Sequence, residues 1–451
     1  MSQVDTPKLP IDYSADAKPA TNYRWIVCAL LFFATTINYV DRQILSLLKE
    51  TLDKELGWTN AEYGLANSLF QLAYGLSFLG FGYFIDKYGT KIGYAVSIAL
   101  WSIAAAGHAL VHSVNGFLAA RLCLGFGEAG NFPSAIKATA QWFPKRERAL
   151  STAIFNSGAS IAAVAAPLTI PLIAGAWGWR ATFIIAGGLG FVWLVAWWAF
   201  YEVPERHRKL SDSERAYILS DRDEAMQERK VPWGSLLGYR QCWSFVVAKF
   251  MTDPVWWFFL IWLPDFFKKT RGLDIKKSMF HLATIYAIIT VLSIIGGWVP
   301  GYLVKNGWSV TKARKVSMFV FACFVLPIFF VTSVGNIWFV VALVGVAGAA
   351  HQAWSANLFT TVSDMFPKNA VASVTGLGGL AGSAGGFMFP LIAGRLLDSF
   401  EARGNATGGY AILFGICGTA YLIAFLFHHL LAPKFEQIPL ETQSPRGFDV
   451  V

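Results

Sequence analysis

Charge is scarce in this chain. Only 14% of its 451 residues are Asp, Glu, Lys or Arg, against about 25% in a soluble domain. So few charges exclude a soluble globular enzyme and a disordered chain, and the composition does not fit a collagen-like fibre. Cysteine is scarce too. Cys28, Cys123, Cys242, Cys323 and Cys417 are odd in number and widely scattered, which excludes a disulfide framework and reads as small buried hydrophobes. There is no Gly-x4-Gly-Lys-Ser/Thr loop for ATP and no His-Glu-x-x-His or Cys-x-x-Cys spacing for a metal. No cofactor is therefore expected, and any transport would be driven by a gradient. Residues 1–23 have no short apolar core followed by a small-residue cleavage site, so they are not a signal peptide.

Apolar residues are abundant, at 55%, and they come in long unbroken runs. A β-barrel would show short alternating strands instead. A spanning helix needs about 20 apolar residues. Twelve runs qualify: about 24–46, 62–84, 92–112, 115–137, 149–173, 178–201, 242–266, 280–303, 314–333, 336–360, 370–395 and 408–431. The expected fold is an all-α polytopic membrane protein of twelve transmembrane helices. The one long connection, 202–240, is charged, with a helical stretch from Asp212 to Glu228. It divides the chain into a tail (1–23), a six-helix bundle (24–201), an inter-bundle loop (202–240), a second six-helix bundle (241–431) and a tail (432–451).

The net charge of +9 would hint at nucleic acid in a soluble protein. Here Lys and Arg gather in alternate loops, among them Lys137, Arg146, Arg148, Arg206, Arg215, Arg229, Lys312 and Arg314. That is the positive-inside bias, and it places both termini in the cytoplasm. The basic residues of 268–277 run against it: they either attract anions outside or mark an error in the loop boundaries.

The two halves share words. PLIAG occurs at 171–175 and at 390–394, Gly-Tyr at 82–83 and 301–302, and Phe-Pro-Lys at 143–145 and 366–368. Three matches in one order point to a duplicated six-helix unit. Parallel repeats of this size characterise a transporter fold that holds substrate between its halves.

Between helices 2 and 3 lies GYFIDKYGTK, with Gly82, Asp86, Lys87, Gly89 and Lys91. Its glycines allow a tight turn and close approach, and Asp86 can pair with a basic group or a helix N-terminus. It reads as a conformational latch or as a plain turn with a helix-end charge. The second copy, GYLVKNG, has Lys305 in the place of Asp86.

Charges inside membrane helices are costly and usually functional. Helix 1 carries Tyr39, Asp41 and Arg42. Asp41 and Arg42 lie either at the outer interface, snorkelling, or within a helix that continues and tilts. Helix 4 carries Arg121 and Glu128, seven residues apart and so on one helix face. Either they form a structural ion pair between helices, or Arg121 controls a carboxylate while Glu128 binds a proton; withdrawal from water favours the neutral form of a carboxyl. The repeat register carries Glu128 onto His351, which then faces the cavity or is a satisfied core histidine. Gln352, Ser355 and Asn357 beside it could bond a polyol, as could Asn156, Ser157 and Tyr74. Asp253-Pro254 frees a backbone carbonyl; Asp253 satisfies local backbone or faces the cavity. Trp256, Trp257, Phe258 and Phe259 read as packing or lipid-facing. Six glycines between 376 and 386 read as close helix packing.

These words together resemble the anion:cation symporter family of the major facilitator superfamily, and its hexuronate branch most closely. The likeness covers about 24–431. It rests on YVDR (39–42), GYFIDKYGTK, Arg121 with Glu128 and GNFP, QWFPKRERA (141–149), FNSGASIAA (155–163) and AHQAWSANLFTTVSDMFP (350–367). The resemblance implies proton-coupled import of a sugar acid. Arg42 would hold the substrate carboxylate, Asp41 and Glu128 would take protons, Arg121 would pair with them, and Tyr39 and Tyr74 would bond the substrate. Galactonate carriers have glutamine where this chain has Ala159, which argues for a different acid. The expected function is import of galacturonate or glucuronate across the inner membrane by a monomer, with protons and the bilayer as its other partners and no nucleic acid. The alternative is another organic anion: an aldonate, an aldarate or an aromatic acid. A membrane enzyme, a passive channel and a sensor are the remaining rivals.

Overall fold

The computed structural model describes residues 21–219 and 233–438. Fifteen α-helices follow one another: α1 Tyr23–Leu47, α2 Lys49–Leu56, α3 Asn60–Tyr88, α4 Thr90–Gly107, α5 Val114–Glu128, α6 Asn131–Trp142, α7 Lys145–Phe200, α8 Asp212–Leu219, α9 Trp233–Leu236, α10 Arg240–Arg271, α11 Ile275–Lys305, α12 Val310–Val325, α13 Ile337–Met365, α14 Lys368–Glu401 and α15 Ala406–Leu431. Short 3-10 turns extend α4 and α12. The described residues contain no strand. The protein is a polytopic α-helical membrane protein, as its apolar runs foretell.

Local chemistry sets the helix ends. The Thr59 hydroxyl accepts the Glu62 N–H while the Glu62 carboxylate accepts the Thr59 N–H, a reciprocal cap on α3. Side chains of Ser113, Asp274, Ser309, Asn336 and Asn405 cap α5, α11, α12, α13 and α15. Gly89, at φ +84°, makes the one-residue turn from α3 to α4. Gly178, at φ +83°, breaks α7 into two arms, at the first residue of the expected sixth span. Only glycine takes these angles without strain.

Nine helices among the described residues are long and apolar enough to cross a membrane, or ten when the bent α3 counts as one span. The difference from twelve has two sources. The two arms of α7, which meet at the kink of Gly178, are two expected spans that count here as one helix. The fourth expected span is divided at Ala129-Gly130 into α5 and α6, neither of which reaches the roughly 20 residues of a full crossing. The sequence reading missed α2. Of the helical stretch expected over Asp212 to Glu228, α8 occupies the first part, and residues 220–228 lie outside the described residues. Residues 1–20 and 439–451 of the two expected tails lie outside them as well.

The helices run between two faces. The Tyr23 hydroxyl donates to the Phe200 carbonyl, Arg240 to the Leu430 carbonyl and the Ile438 N–H to the Met365 carbonyl. This groups the start of α1 and α10 with the ends of α7, α13 and α15 on one side, here the terminal face. The end of α10 meets the start of α3 on the other, the distal face, where Lys269 reaches Asn60. On the terminal face α8 anchors α1: the Glu214 carboxylate accepts from the backbone N–H groups of Tyr23 and Arg24 and from the Arg24 guanidinium, which also pairs with Glu147 at 2.8 Å.

Helix α1 lies along α7, α3 lies between α5 and α14, and α11 packs on α13 and α7. Helix α10 packs on α14 and α15. The α3–α14 contact is close along much of its length. A methyl added to Gly64 would lie 2.3 Å from the Pro390 carbonyl oxygen, and one added to Gly394 the same distance from the Asn60 carbonyl oxygen. One turn further along, the Ser68 hydroxyl donates to the Phe387 carbonyl at 2.7 Å. Gly378, Gly382 and Gly385 likewise admit α10: an added methyl would meet Phe245, Asp253 and the Phe250 carbonyl. Gly378, Gly382, Gly385 and Gly386 thus serve packing, as their spacing suggests, while Gly379 borders open space.

Candidate functional site

Helix α1 carries Tyr39, Asp41 and Arg42 into the interior. Asp41 is 1% exposed and Arg42 8%, so neither snorkels at an interface. Tyr39 and Arg42, three residues apart, share a helix face. The Arg42 Nε donates to the Glu128 Oε2 at 2.6 Å. Four rings surround its guanidinium: Tyr74 at 4.6 Å, Tyr39 at 4.8 Å, Phe70 at 5.3 Å and Trp257 at 5.7 Å to the ring centroids. Such rings attract a cation through their quadrupoles.

Glu128 is the last residue of α5, beside the Ala129-Gly130 break and near the middle of the expected fourth span. The glycines around it explain the geometry. A methyl on Gly125 would lie 2.3 Å from the Phe70 carbonyl oxygen, and one on Gly127 2.6 Å from the Trp101 backbone N. Helices α3 and α4 therefore pass at backbone contact, and the Ser97 hydroxyl takes the Gly127 carbonyl as α5 ends. Arg121, on the same helix, makes no ion pair with Glu128. Its Nη2 donates to the Asn67 Oδ1 at 3.3 Å, and its guanidinium lies 4.8 Å from the Phe70 centroid. Phe70 thus touches both arginines.

Several polar atoms here are buried without a partner among the described residues: both Asp41 carboxyl oxygens, Glu128 Oε1, Arg121 Nε and Nη1, and the Asn38 amide. Buried polar groups are normally bonded. A cluster of unsatisfied ones beside an ion pair marks a place where protons or a ligand act.

A cavity of about 440 Å³ adjoins this cluster, lined by residues of α1, α7, α10, α11 and α13. Tyr39, Asn156, Asp253, Trp256, Trp257, His351 and Gln352 reach it. They lie around the middles of their helices. A void of about 20 Å³, about the size of one water, lies beyond, against Arg42, Asn67, Gln71 and Arg121. Tyr39 and Trp257 line both spaces and stand between the cavity and Arg42.

The remaining expected residues divide. His351 lines the cavity and is also bonded: its Nδ1 meets the Tyr421 hydroxyl at 2.5 Å, and its ring stacks on Trp256 at 5.5 Å. Asn357 does not line the cavity; its amide turns back to the Ala353 carbonyl at 2.8 Å. Tyr74 meets Arg42 rather than the cavity. Trp256 and Trp257 line the cavity instead of facing lipid, while Phe258 and Phe259 are core. Sequence reasoning missed Lys249, a buried cation on the cavity wall. Its signal was a lysine inside an apolar run, four residues before Asp253.

At the terminal face Asp86 pairs with Lys137 of α6 at 2.8 Å, and the same ammonium takes the Ile85 carbonyl. Lys91 pairs with Glu202 at 3.0 Å, and Lys87 lies over the Tyr88 ring. Gly89 makes the turn; Gly82 borders open space and serves no close approach. The second copy has no matching acid, and there Arg314 of α12 pairs with Asp364 of α13.

At the distal face a network joins the first half of the chain to the second. Lys49 pairs with Asp53 at 2.8 Å and Asp265 at 3.0 Å, Lys268 with Glu50 at 2.7 Å, and Lys269 with Glu401. Tyr410 donates to Asp265. The Asp398 carboxylate accepts from the N–H groups of Asn60 and Ala61 at 2.9 Å, an anion at a helix N-terminus. The basic cluster of 268–277 is in part consumed by this network. Glu50 titrates below the ordinary glutamate range: burial works against its charge, but the ammonium groups of Lys268 and Lys54 outweigh burial.

Helices of this length, gathered round a polar cavity with buried charge, define a membrane carrier. The sequence pattern of the Major Facilitator Superfamily matches residues 31–390, and the chain belongs to that superfamily. It is a transporter and not an enzyme. It is similar to the hexuronate transporter of Escherichia coli K12, 30% identical over 89% of this chain and 92% of that one. It is also similar to the galacturonate transporter of Dickeya chrysanthemi, 32% identical over 61% of this chain and 81% of that one. A solved bacterial homologue of the human lysosomal transporter Spinster shares the fold, with TM-score 0.75 at 17% identity over 92% of this chain and 98% of that one.

Proposed function

We propose that this protein is a proton-coupled symporter that imports a hexuronate, galacturonate or glucuronate, across the inner membrane. It works by alternating access of two six-helix bundles, 24–201 and 241–431, with the terminal face and both termini in the cytoplasm. The hexuronate and galacturonate transporters among its relatives support an organic-acid cargo. The observation that carries the mechanism is the Arg42–Glu128 ion pair beside the cavity.

Arg42 has one strong anionic partner here, and that partner can be exchanged. A substrate carboxylate and the Glu128 carboxylate compete for the same guanidinium. Protonation of Glu128 frees Arg42 for substrate, and substrate on Arg42 leaves Glu128 a carboxyl without its cation, which holds its proton. The two binding events therefore favour each other, and the coupling is reciprocal. Asp41, buried without a partner, is the second proton carrier. Arg121 lies on the same helix as Glu128 and offsets the negative charge that the cluster carries once its carboxyls have lost their protons. Asn156, Gln352 and His351 bond the hydroxyl groups of the sugar from the cavity walls, while Tyr39 and Tyr74 border the carboxylate position.

The coupling has an electrical reason. A monoanion entering a negative-inside cell is opposed by about 2.3 kcal/mol per 100 mV. One proton cancels that charge and a second makes entry favoured.

The test is uptake of labelled galacturonate and glucuronate into proteoliposomes with and without an inward proton gradient. Gradient-driven accumulation of either supports the reading. Accumulation of an aldonate, aldarate or aromatic acid in the same vesicles, with neither hexuronate taken up, overturns the cargo and keeps the proton scheme. Proton-driven uptake that survives both Glu128→Gln and Arg42→Ala overturns the scheme.

A further inference from the structure

The α10 wall of the cavity carries a second ion pair that the proton scheme does not use. Lys249 and Asp253 are four residues apart on α10, and the Lys249 Nζ lies 2.7 Å from the Asp253 Oδ2. Both line the cavity. Their side chains are 7% and 18% exposed. The pair is held in place: the Lys249 ammonium lies 4.5 Å from the Phe359 centroid, and Asp253 packs over Gly382, where an added methyl would come 2.1 Å from its Oδ2. A buried ion pair does little for stability compared with apolar residues of the same size. One kept on the wall of a ligand cavity calls for a different account.

The chemistry of the pair supplies one. An ammonium has three donors and a carboxylate four acceptor positions, and the Lys249–Asp253 contact uses one of each. What remains is a donor set beside an acceptor set with no net charge, which suits adjacent hydroxyl groups of a sugar. It does not suit a carboxylate, because the charge that would attract one is already cancelled and Asp253 would repel it. The anionic end of a substrate is left to Arg42, beyond Tyr39 and Trp257.

We infer that Asp253 is a specificity-determining residue: by neutralising Lys249 it fits the α10 wall to the hydroxyl-bearing end of a monocarboxylate sugar acid and excludes acids with a carboxylate at both ends. This inference rests on the sugar-acid reading of the cavity. It predicts that the discrimination between mono- and dicarboxylates resides in a single removable negative charge. In Asp253→Asn the amide keeps the shape and loses the charge, Lys249 is left unpaired on the wall, and a second carboxylate gains a partner.

The experiment is equilibrium binding of galacturonate and of galactarate to the purified full-length protein, followed by competition of each against labelled uptake in proteoliposomes. The wild type should prefer galacturonate by tenfold or more. Asp253→Asn should shift the affinity ratio toward galactarate by at least tenfold. The double variant Lys249→Gln/Asp253→Asn, neutral again, should return the ratio toward the wild type while binding both acids more weakly. A ratio unchanged in Asp253→Asn, or both affinities falling in parallel in the single and double variants, overturns the inference. A wild type that already prefers galactarate overturns both the inference and the hexuronate cargo. A wild type that prefers galacturonate, with no shift in the variant, overturns the inference alone. Monodisperse elution of each variant shows that it has folded.

Discussion

The distal and terminal faces are tied by different kinds of bond. At the distal face the ion pairs join the first half of the chain to the second: Lys49 to Asp265, Glu50 to Lys268, and Asp398 to the start of α3. At the terminal face, among the described residues, Asp86 pairs with Lys137, Lys91 with Glu202, Arg24 with Glu147, and Arg314 with Asp364, each within its own half. The first pattern holds two bodies together. The second stiffens each body. The cavity lies between the two faces, around the middles of its helices.

The largest expected effect is at the cluster that the two faces serve in turn. Arg42→Ala should abolish uptake. Glu128→Gln should abolish accumulation driven by a proton gradient while leaving exchange of substrate across the membrane measurable; counterflow with labelled galacturonate separates the two. Next is the distal network. Asp265→Asn removes a partner of Lys49, Lys269 and Tyr410 together. It should move the protein toward the distal-open form and reduce uptake several-fold, read as a longer spin-label distance between positions 55 and 403. An unchanged distance would mean that the helix seam and not the ion pairs closes that face. At the terminal face Asp86→Asn should slow transport by a smaller factor without weakening substrate binding, since Asp86 touches only Lys137 and the end of α3. Equal losses in binding and rate would place it in the binding site instead.

The smallest effect concerns pH. The folded Glu50 carboxyl titrates below its ordinary value, so its pair with Lys268 contributes above that value and is lost only as the pH falls through the lowered one. The 55–403 distance should therefore hold constant from neutral pH down to about pH 4, near the ordinary glutamate value, and lengthen only below it. Lengthening already between pH 7 and 5 would give the control to another group.

Much of the architecture was legible because apolar runs declare membrane helices and glycine declares their breaks. Every expected span falls largely on helix, and Gly178 sits where one run gives way to the next. The α5–α6 break was not legible. Nothing in GFGEAGNFP says that α3 and α4 press against it, and that pressure is what the glycines admit. The ion pair was half legible. Arg121 and Glu128 share a face, but seven residues are about 10.5 Å along a helix, too far for a bond, so the cation has to come from another helix, and α1 supplies Arg42. His351 was found because the repeat carries Glu128 onto it. Lys249 was missed because a lone lysine within an apolar run has no partner in view until the turn of α10 puts Asp253 beside it.

The seam between α3 and α14 sets the path by which the molecule can move. Gly64 against Pro390, Ser68 on Phe387 and Gly394 against Asn60 leave no room for even a methyl group between the two helices. A pair of bodies joined along such a line has one easy motion left: to rock about it as about an axle. In the proposed alternating-access cycle, opening one mouth of the cavity then closes the other as a matter of leverage. A bulky residue at Gly64 or Gly394 would jam this carrier far from any charge it uses.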